Sequence, residues 1–301
     1  MIIDTSQNFL PILQALANDT RLKIINALAT NEMNIGELAK TLNISNAITT
    51  RHIQQLEESG IVKTRRCPGK FGLQKLASLA IDQITIDFPE KIFPEYRYYR
   101  TDVSVGHFTD FLAVPTCGLA SESAHIGMAD HPRSFLDNQR VNAQIVWIGS
   151  GYLEYKVPNM IQKGDHLELI DISFEIASEF PISNNNWPSD ISYYINGIKI
   201  ATDTVGGNYS DVRGLLTPLW WPDACSQYGE LKHLRINQYD TGIDGVPTSN
   251  VNIHDLGLEG SDYFTLRIAS EENAEQAGGL TLFGEKWGNH NQSIRVTTYV
   301  S

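Results

Sequence analysis

The sequence is poor in cysteine and has no long apolar run. Its three cysteines, Cys67, Cys117 and Cys225, are odd in number and far apart, so they make neither a disulfide framework nor a CxxC metal pair. No apolar stretch approaches the roughly 20 residues that are needed to span a membrane. The N-terminus also lacks a basic segment leading into an apolar run and a small-residue cleavage site. These absences predict a cytoplasmic protein that does not associate with membranes.

Phe, Tyr and Trp are almost absent from the first eighty residues, where Phe9 and Phe71 are the only two. Net charge changes at the same place. Residues 1–80 hold nine Lys and Arg against six Asp and Glu, whereas residues 81–301 hold 14 against 29. The total charge of −12 therefore does not exclude nucleic acid as a partner of the basic first segment. The two compositions predict two domains, residues 1–80 and residues 81–301, with different partners.

Apolar residues at helical spacing predict two helices at the start of the first domain. The first covers residues 6–17, with Ser6 as its N-cap, and Pro11 is compatible with it only in the first turns. The second begins at Asn18 or Asp19. The apolar residues that we expect these helices to bury are Phe9, Leu10, Leu13, Leu16, Leu22, Ile25 and Leu28.

Two further helices and a hairpin follow. Asn34 and Glu37 have the spacing of a capping box and predict the start of a third helix. Ser45 is the predicted N-cap of a fourth helix, which ends before Gly60. The segments "IVKTRR" and "FGLQKLA" then predict a hairpin with its turn at residues 67–70.

Four short helices and a hairpin in this order make a winged helix-turn-helix. The run "DTRLKIINAL…IGELAKTLNISNAITTRHIQQLEESGIVKTRR" resembles the ArsR family of bacterial winged-helix regulators. The resemblance covers roughly residues 8–76 and depends on the spacing between the turn, the "RH" pair, the "LEESGIV" exit and the wing. It implies a domain that binds double-stranded DNA.

The sequence departs from the pattern of the ArsR family in two ways. In the metal sensors of the family a cysteine pair stands at the start of the helix before the turn, but the aligned positions here are Asn34 and Gly36, so no metal or other cofactor is expected. The additional C-terminal helix of the family is also not evident, because Ile84, Ile86 and Phe88 alternate like a strand. We still expect a symmetric homodimer on a palindromic operator, formed through the first helix or the second domain.

The fourth helix can bury one face and offer the other to the major groove. Thr49, Ile53 and Leu56 are predicted to face inward. Arg, Asn and Gln can make bidentate contacts with guanine and adenine, and Ala and Ile can contact a thymine methyl group, whereas cations on the wing contact phosphates or the minor groove. The alternative is a solvated helix beside a basic hairpin. The residues predicted to contact DNA are Ser45, Asn46, Ala47, Ile48, Thr50, Arg51, Gln54, Gln55, Arg65, Arg66 and Lys70.

From about residue 81 the pattern changes to period two, with Gly, Asn, Asp and Pro between the segments. This pattern predicts an all-β antiparallel sandwich, so that the fold class of the chain is α+β with a winged helix-turn-helix at the N-terminus. Asn196-Gly197 predicts a tight hairpin. The segment "SGYLEYKVPNMIQKGDHLELIDISFEI" loosely resembles the entry strands of galactose-binding jelly rolls. The predicted strands are residues 143–149, 152–158, 166–176, 191–195, 198–202, 231–239, 263–269, 279–285 and 293–300.

Tryptophans indicate a ligand site in the second domain, although Trp147 is expected in the core. Neighbouring residues on a strand point to opposite faces, so Trp220 and Trp221 cannot both lie in one core. An exposed Trp beside Asp223 suits a sugar, which stacks on the ring and donates hydroxyl hydrogen bonds to the carboxylate. A second polar loop offers Trp287 and Asn289. The alternatives are loop packing or a protein interface.

No catalytic motif is present. The spacing of His107, His125, Asp130 and His131 matches no standard metal site, and the strand residues Glu168, Asp171 and Glu175 give no sign of convergence. The sequence also has no Gly-rich phosphate loop, no GxSxG and no Cys/His nucleophile pair. Catalytic residues are therefore not predicted.

The sequence as a whole predicts a DNA-binding transcriptional regulator, a repressor rather than an enzyme. Its β-sandwich would sense a small-molecule effector, with a carbohydrate as the leading candidate, or serve oligomerisation. One alternative is a sandwich-fold enzyme tethered to a DNA-binding domain. The other is a sandwich that serves only dimerisation or protein interaction.

Overall fold

Three of the four α-helices described near the N-terminus begin at a side-chain cap. The computed structural model describes residues 2–4, 7–69, 72–81, 84–87, 96–258 and 260–301. The predicted N-cap Ser6, the wing residue Lys70 and the strand residue Phe88 lie outside them. The chain divides into two compact units, Met1–Pro94 and Glu95–Ser301. The elements of the first unit are β1 (Ile2–Asp4), α1 (Leu10–Leu16), α2 (Asp19–Leu28), β2 (Met33–Asn34), α3 (Ile35–Leu42), α4 (Asn46–Glu58), β3 (Val62–Gly69), β4 (Gly72–Leu79) and β5 (Thr85–Asp87).

The predicted caps of α3 and α4 are confirmed, and α2 begins at Asn18, one of the two predicted starts, whereas the N-cap position of α1 is Phe9, which has no side-chain cap. The side chain of Asn18 accepts a hydrogen bond from the Arg21 N–H at the start of α2. Asn34 and Glu37 form the capping box of α3, with both reciprocal hydrogen bonds present. The Ser45 hydroxyl accepts from the Ile48 N–H at the start of α4. These bonds satisfy backbone donors that each helix leaves unpaired in its first turn.

The buried faces of α1 and α2 differ from the prediction. Leu10 and Leu22 are exposed, and Ile12 and Ile24 are buried instead. The α-helix begins only at Leu10, after a 3-10 turn at Gln7–Phe9, so the apolar stripe starts at a different phase. Leu22 lies two positions from Ile24, about 200° around the helix, and therefore points away from the core.

The wing is a hairpin of β3 and β4, with β2 added at the edge to make three strands. Pairing continues through Cys67 opposite Gln74 to Gly69 opposite Gly72. The predicted turn at residues 67–70 is therefore placed too early. The strand predicted around Ile84 and Ile86 is confirmed as β5, which pairs in parallel with β1, a strand the sequence did not indicate.

The second unit is an antiparallel β domain, as predicted, and the α+β class is confirmed. Within the described residues no helix is long and apolar enough to cross a membrane. The strands are β6 (Arg97–Val103), β7 (Asp110–Ala120), β8 (His125–Ile126), β9 (Ile145–Pro158), β10 (Leu167–Ala177), β11 (Ser189–Ile195), β12 (Ile198–Val205), β13 (Glu230–Asn237), β14 (Thr241–Ile243), β15 (Val246–Ser249), β16 (Tyr263–Ser270), β17 (Leu280–Phe283) and β18 (Ile294–Val300).

These strands form one hydrogen-bonded sheet that folds over itself. β17 pairs with both β9 and β10, and beyond β17 these two long strands diverge. β9 continues to β16, β11 and β12, whereas β10 continues to β13, β14 and β15. The layers face each other, since the rings of Phe174 on β10 and Tyr193 on β11 lie 5.7 Å apart. The Ser249 hydroxyl donates to the Ile200 carbonyl and so joins the far edges. The likeness to galactose-binding jelly rolls stays a prediction.

Two predicted strands, 143–149 and 152–158, are one strand of 14 residues. Gly151 lies inside it at φ +111°, and a Cβ there would lie 1.9 Å from the Leu112 carbonyl oxygen on β7. The glycine therefore permits close strand approach instead of ending the strand. β7 was missed because it contains Pro115, which cannot donate to a ladder. A shift of register between Val114 and Cys117 accommodates it.

The predicted tight hairpin is confirmed. Asn196 and Gly197 both have positive φ, 49° and 78°, and connect β11 to β12. Asp244 and Gly245 do the same between β14 and β15, as expected from turn chemistry. Type I′ turns require positive φ at both central positions, which is why these residue pairs mark them in a sequence.

Candidate functional site

Helix α4 buries one face and exposes the other. Thr49, Ile53 and Leu56 are buried, as predicted. These three positions lie on one stripe of a 3.6-residue period, which leaves the rest of the circumference for solvent or a partner. The exposed residues of the opposite face are Asn46, Ala47, Ile48, Thr50, Arg51 and Gln54.

The exposed face combines hydrogen-bonding groups with one apolar group. Arg51 forms no salt bridge with the described residues, so its guanidinium is available to a ligand. Gln54 donates its amide to Glu58 one turn later, an exposed contact that a stronger partner can displace. Ile48 adds an apolar side chain that is 49% exposed. Such a mixture matches the edges of base pairs in a major groove.

Gln55 differs from the other predicted DNA contacts. It is half-buried, and its carbonyl oxygen accepts a hydrogen bond of 2.7 Å from Nη1 of Arg21 on α2. The same guanidinium donates to the backbone carbonyls of Gln14 and Ala15 at the end of α1, at 2.6 Å each. Arg21 thus joins three helices. The carbonyl oxygen of Gln55 is therefore turned towards α2.

The wing is tied to the same helix. Glu57 of α4 accepts hydrogen bonds from Lys75 on β4 and Thr64 on β3, and these bonds lower the pKa of Glu57. Arg65 pairs with Glu32 at 2.6 Å, but both side chains are largely exposed, so the pair is readily exchanged for another anion. Arg66 is exposed. The basic wing therefore has a fixed position beside α4.

Three tryptophans of the second unit, Trp220, Trp221 and Trp287, contact one another, and of the adjacent pair only Trp221 lies in the core, as predicted. Trp220 and Trp221 are in a turn, and their ring centroids are 5.5 Å apart. Both rings also contact Trp287, at 5.9 Å and 5.0 Å. A turn lets neighbouring side chains point the same way, which a strand does not. Trp221 and Trp287 are buried, and Trp220 is 37% exposed.

Polar groups of the predicted sugar site are already engaged within the protein. Asp223 forms an ion pair with Arg213. The side-chain oxygen of Asn289 accepts from the Leu215 N–H at 2.9 Å. The Trp220 indole donates to the Glu122 carbonyl at 2.7 Å. The structure brings the predicted residues together, but their hydrogen-bonding groups stabilise the loops that carry them.

A cavity of about 150 Å³ opens beside this cluster. Its walls include the rings of His125, Trp147 and Trp221 and the carboxyl groups of Asp130 and Glu179. Trp147, expected in the core, is only half-buried and lines the cavity. Sequence reasoning missed Glu179. A local signal for it is an acidic residue two positions after the end of β10.

Glu179 is the most unusual group in this cavity. Its carboxyl is 8% exposed and accepts hydrogen bonds from the hydroxyls of Thr116 at 3.1 Å and Thr281 at 3.0 Å. Burial raises its pKa to about 8, and the charge of Asp130 adds to the effect. Burial also lowers the pKa of His125, so that the imidazole is neutral at pH 7.

The strand carboxylates that the sequence singled out do not converge. Glu168 accepts from the Ser301 hydroxyl, and Asp171 pairs with Arg235. Glu175 accepts from the backbone N–H groups of Gly229, Asn289 and His290, while burial raises its pKa to about 7. Glu175 therefore anchors the loop after β17. Among the described residues no group of three or more His, Cys, Asp and Glu is arranged to hold a metal ion.

Comparison with known proteins concerns the first unit. Residues 18–64 match the family described as bacterial regulatory protein, arsR family. This segment is an ArsR-family winged helix-turn-helix. The match extends from α2 through α4 into β3 and so includes the exposed face of α4. The transcriptional activator HlyU of Vibrio cholerae is 38% identical over 55 residues, 18% of this chain and 51% of that protein. The chain thus spans about half the length of this relative.

Solved structures with a similar ArsR-type segment include HlyU from Vibrio cholerae N16961, at 30% identity and a TM-score of 0.22, covering 24% of this chain and 74% of that one. NolR from Sinorhizobium fredii has the same identity, TM-score and share of this chain, and 69% of its own length is covered. A homodimeric winged helix-turn-helix DNA-binding domain from Mycobacterium bovis is 27% identical over 24% of this chain and 62% of its own, with a TM-score of 0.22.

Proposed function

We propose that the protein is a transcriptional regulator that binds double-stranded DNA by inserting α4 into the major groove. The observation that carries this proposal is the division of α4 into a buried apolar face and an exposed face headed by the unpaired Arg51. The family match over residues 18–64 supports it. Arg51 and Gln54 would contact base edges, and Arg65 and Arg66 on the wing would contact phosphates.

One ArsR-type domain makes few base contacts, so we propose a homodimer that binds two half-sites. The second unit would act as the effector or oligomerisation module. Its ligand would shift the equilibrium between two placements of the recognition helices. The related HlyU is named as an activator, so the repressor role predicted from the sequence stays a prediction. So do a carbohydrate effector and a cytoplasmic location.

The test begins with selection of duplexes from a random library by the full-length protein. Fluorescence anisotropy then measures the affinity for a selected duplex and for a scrambled one at several salt concentrations. Loss of a bidentate contact costs about 1–3 kcal/mol, so Arg51→Ala should weaken binding to the selected duplex roughly 5- to 150-fold. Its affinity for the scrambled duplex should change much less.

Arg66→Ala should weaken binding to both duplexes and reduce the salt slope by about one. Lys23→Ala is the matched control, because Lys23 is a basic residue on α2 whose partner is the exposed Asp19. Enrichment of no sequence, or equal affinity of the wild type and the Arg51 and Arg66 variants for the selected duplex, would contradict the proposal.

A further inference from the structure

The cavity beside Trp147 has a chemical character that favours one class of ligand. Its acidic lining groups are Asp130 and Glu179, and no Lys or Arg lines it. His125, the one basic side chain in its wall, is kept neutral by burial. An anionic ligand would therefore meet two carboxyl groups without a compensating charge. A cation would be attracted by the charge of Asp130 and, once its proton is released, by that of Glu179.

Aromatic rings form another part of the cavity wall. The ring centroids of Trp147 and Trp221 are 5.8 Å apart with their planes inclined by 65°, and His125 lies 5.2 Å from Trp221. Trp147 packs over Gly118, where a Cβ would lie 2.3 Å from the indole. This contact fixes the ring while it lines the cavity. Aromatic faces beside a carboxylate are the surroundings that bind alkylated ammonium groups.

We propose that this cavity binds a compact organic cation, a small ammonium compound with alkyl substituents, that lies against the wall formed by the contacting rings of Trp147 and Trp221 and beside the carboxylate of Glu179. The volume of about 150 Å³ limits the ligand to a small molecule. A role for this ligand as the effector of DNA binding rests on the function proposed above. The site itself does not depend on that function.

The hydrogen bonds around Glu179 suit a change of protonation on binding. Thr281 has one hydroxyl proton and lies 3.0 Å from both Glu179 Oε2 and the Ser178 carbonyl. When Glu179 is protonated it donates to Thr281, which donates to Ser178. When Glu179 is ionised Thr281 donates to it, and the Ser178 carbonyl keeps the hydrogen bond from the Asn208 amide at 2.7 Å. Both states are satisfied without moving a side chain.

Cation binding is therefore coupled to the release of one proton from Glu179 to the solvent. Because burial holds its pKa near 8 in the empty cavity, the cation binds more tightly as the pH rises towards 8. The affinity should increase about tenfold per pH unit well below that value and level off above it. The other titratable groups around Glu179 are Asp130, Cys117, Cys225 and the imidazole of His125 in the cavity wall. Burial raises the pKa of both thiols, so they stay protonated through this range, and it lowers the pKa of His125.

The test uses the full-length protein, choline as the cationic probe and 3,3-dimethylbutanol as its neutral isostere. Isothermal titration calorimetry at pH 6, 7 and 8, in two buffers with different ionisation enthalpies, measures affinity and proton release together. We expect choline to bind with release of close to one proton at pH 6–7 and the isostere to bind at least tenfold more weakly. Equal binding of the two probes, or no binding of choline at millimolar concentration, would overturn the proposal.

Variants assign the effect to the named groups. Glu179→Gln imitates the protonated acid, donating to Thr281 as before, and should lower choline affinity at pH 8 at least tenfold and remove its pH dependence. Trp147→Leu should lower the affinity about three- to thirtyfold at every pH. Glu272→Gln, the same change at an exposed carboxylate that does not line the cavity, should leave it unchanged. Tight, pH-independent binding to the Glu179 variant would exclude this site, as would a monosaccharide that binds in place of choline.

The effector role of the ligand is measured separately, through DNA binding. Choline should change the affinity of the wild type for the selected duplex and leave that of the Glu179→Gln variant unaltered. Choline binding without any effect on DNA affinity would refute the effector role and keep the site. Absence of DNA binding in both proteins would count against the proposed regulator, whereas the calorimetric result would stand.

Discussion

Arg21 is predicted to contribute more to the stability of the first unit than any surface ion pair. Its guanidinium donates three hydrogen bonds, to the carbonyls of Gln14 and Ala15 and to the side chain of Gln55. The two carbonyls belong to the last turn of α1, where no intrahelical partner is available. Hydrogen bonds of charged groups contribute about 1.5–3 kcal/mol each when buried, and Arg21 is only partly buried. We therefore expect Arg21→Ala to lower the free energy of unfolding by about 2–4 kcal/mol.

The assay is urea denaturation followed by circular dichroism at 222 nm. The α-helices of the described residues all lie in the first unit, so this signal reports chiefly on it. Lys23→Ala is the control on the same helix. Its ion pair with Asp19 is exposed and should contribute no more than about 0.5 kcal/mol. Arg21→Lys keeps the charge but loses the planar fork, so it should recover less than half of the loss.

The functional consequence follows from Gln55. Without Arg21, the side chain of Gln55 on α4 loses its hydrogen-bond donor on α2. Helix α4 is then held less firmly in the orientation that the major groove requires. Arg21→Ala should therefore also weaken binding to the selected duplex although Arg21 contacts no base. A stability loss equal to that of Lys23→Ala would refute the reasoning.

The remaining predictions concern the β domain. The folded pKa of Glu179, about 8, exceeds the ordinary 4.5, so the folded state binds more protons in this window and stability falls by up to about 5 kcal/mol as pH rises through it. Glu179→Gln should flatten that slope in calorimetric scans at pH 5 and 8, and an unchanged slope would contradict the prediction. Gly151→Ala, with a Cβ 1.9 Å from the Leu112 carbonyl oxygen, should lower the melting temperature far more than Gly164→Ala. Gly164 also has a positive φ but no atom within 4 Å of its Cβ position, so equal losses would show that the clash is relieved.

Much of the first unit was predictable because its signals are local. The capping box of Asn34 and Glu37, the N-cap Ser45 and the positive φ of Gly60 each involve residues within one turn of a helix. The inward face of α4 follows from the same periodicity. Where the local pattern fitted more than one face, as in α1 and α2, packing against the other helices decided which apolar residues were buried, and the prediction was wrong for Leu10 and Leu22.

The sequence by itself determined the winged helix-turn-helix of the first unit, the antiparallel β domain, the turn at Asn196-Gly197 and the face of α4 that meets solvent. Only the tertiary structure decided which side chains become neighbours. Gln55 differs from the other polar residues of α4 because it accepts a hydrogen bond from Arg21, 34 positions away. The cavity joins residues from β7 to β17 that no spacing relates. Local periodicity fixes the direction of a side chain, but its partner depends on how distant strands and helices pack, which a single sequence does not show.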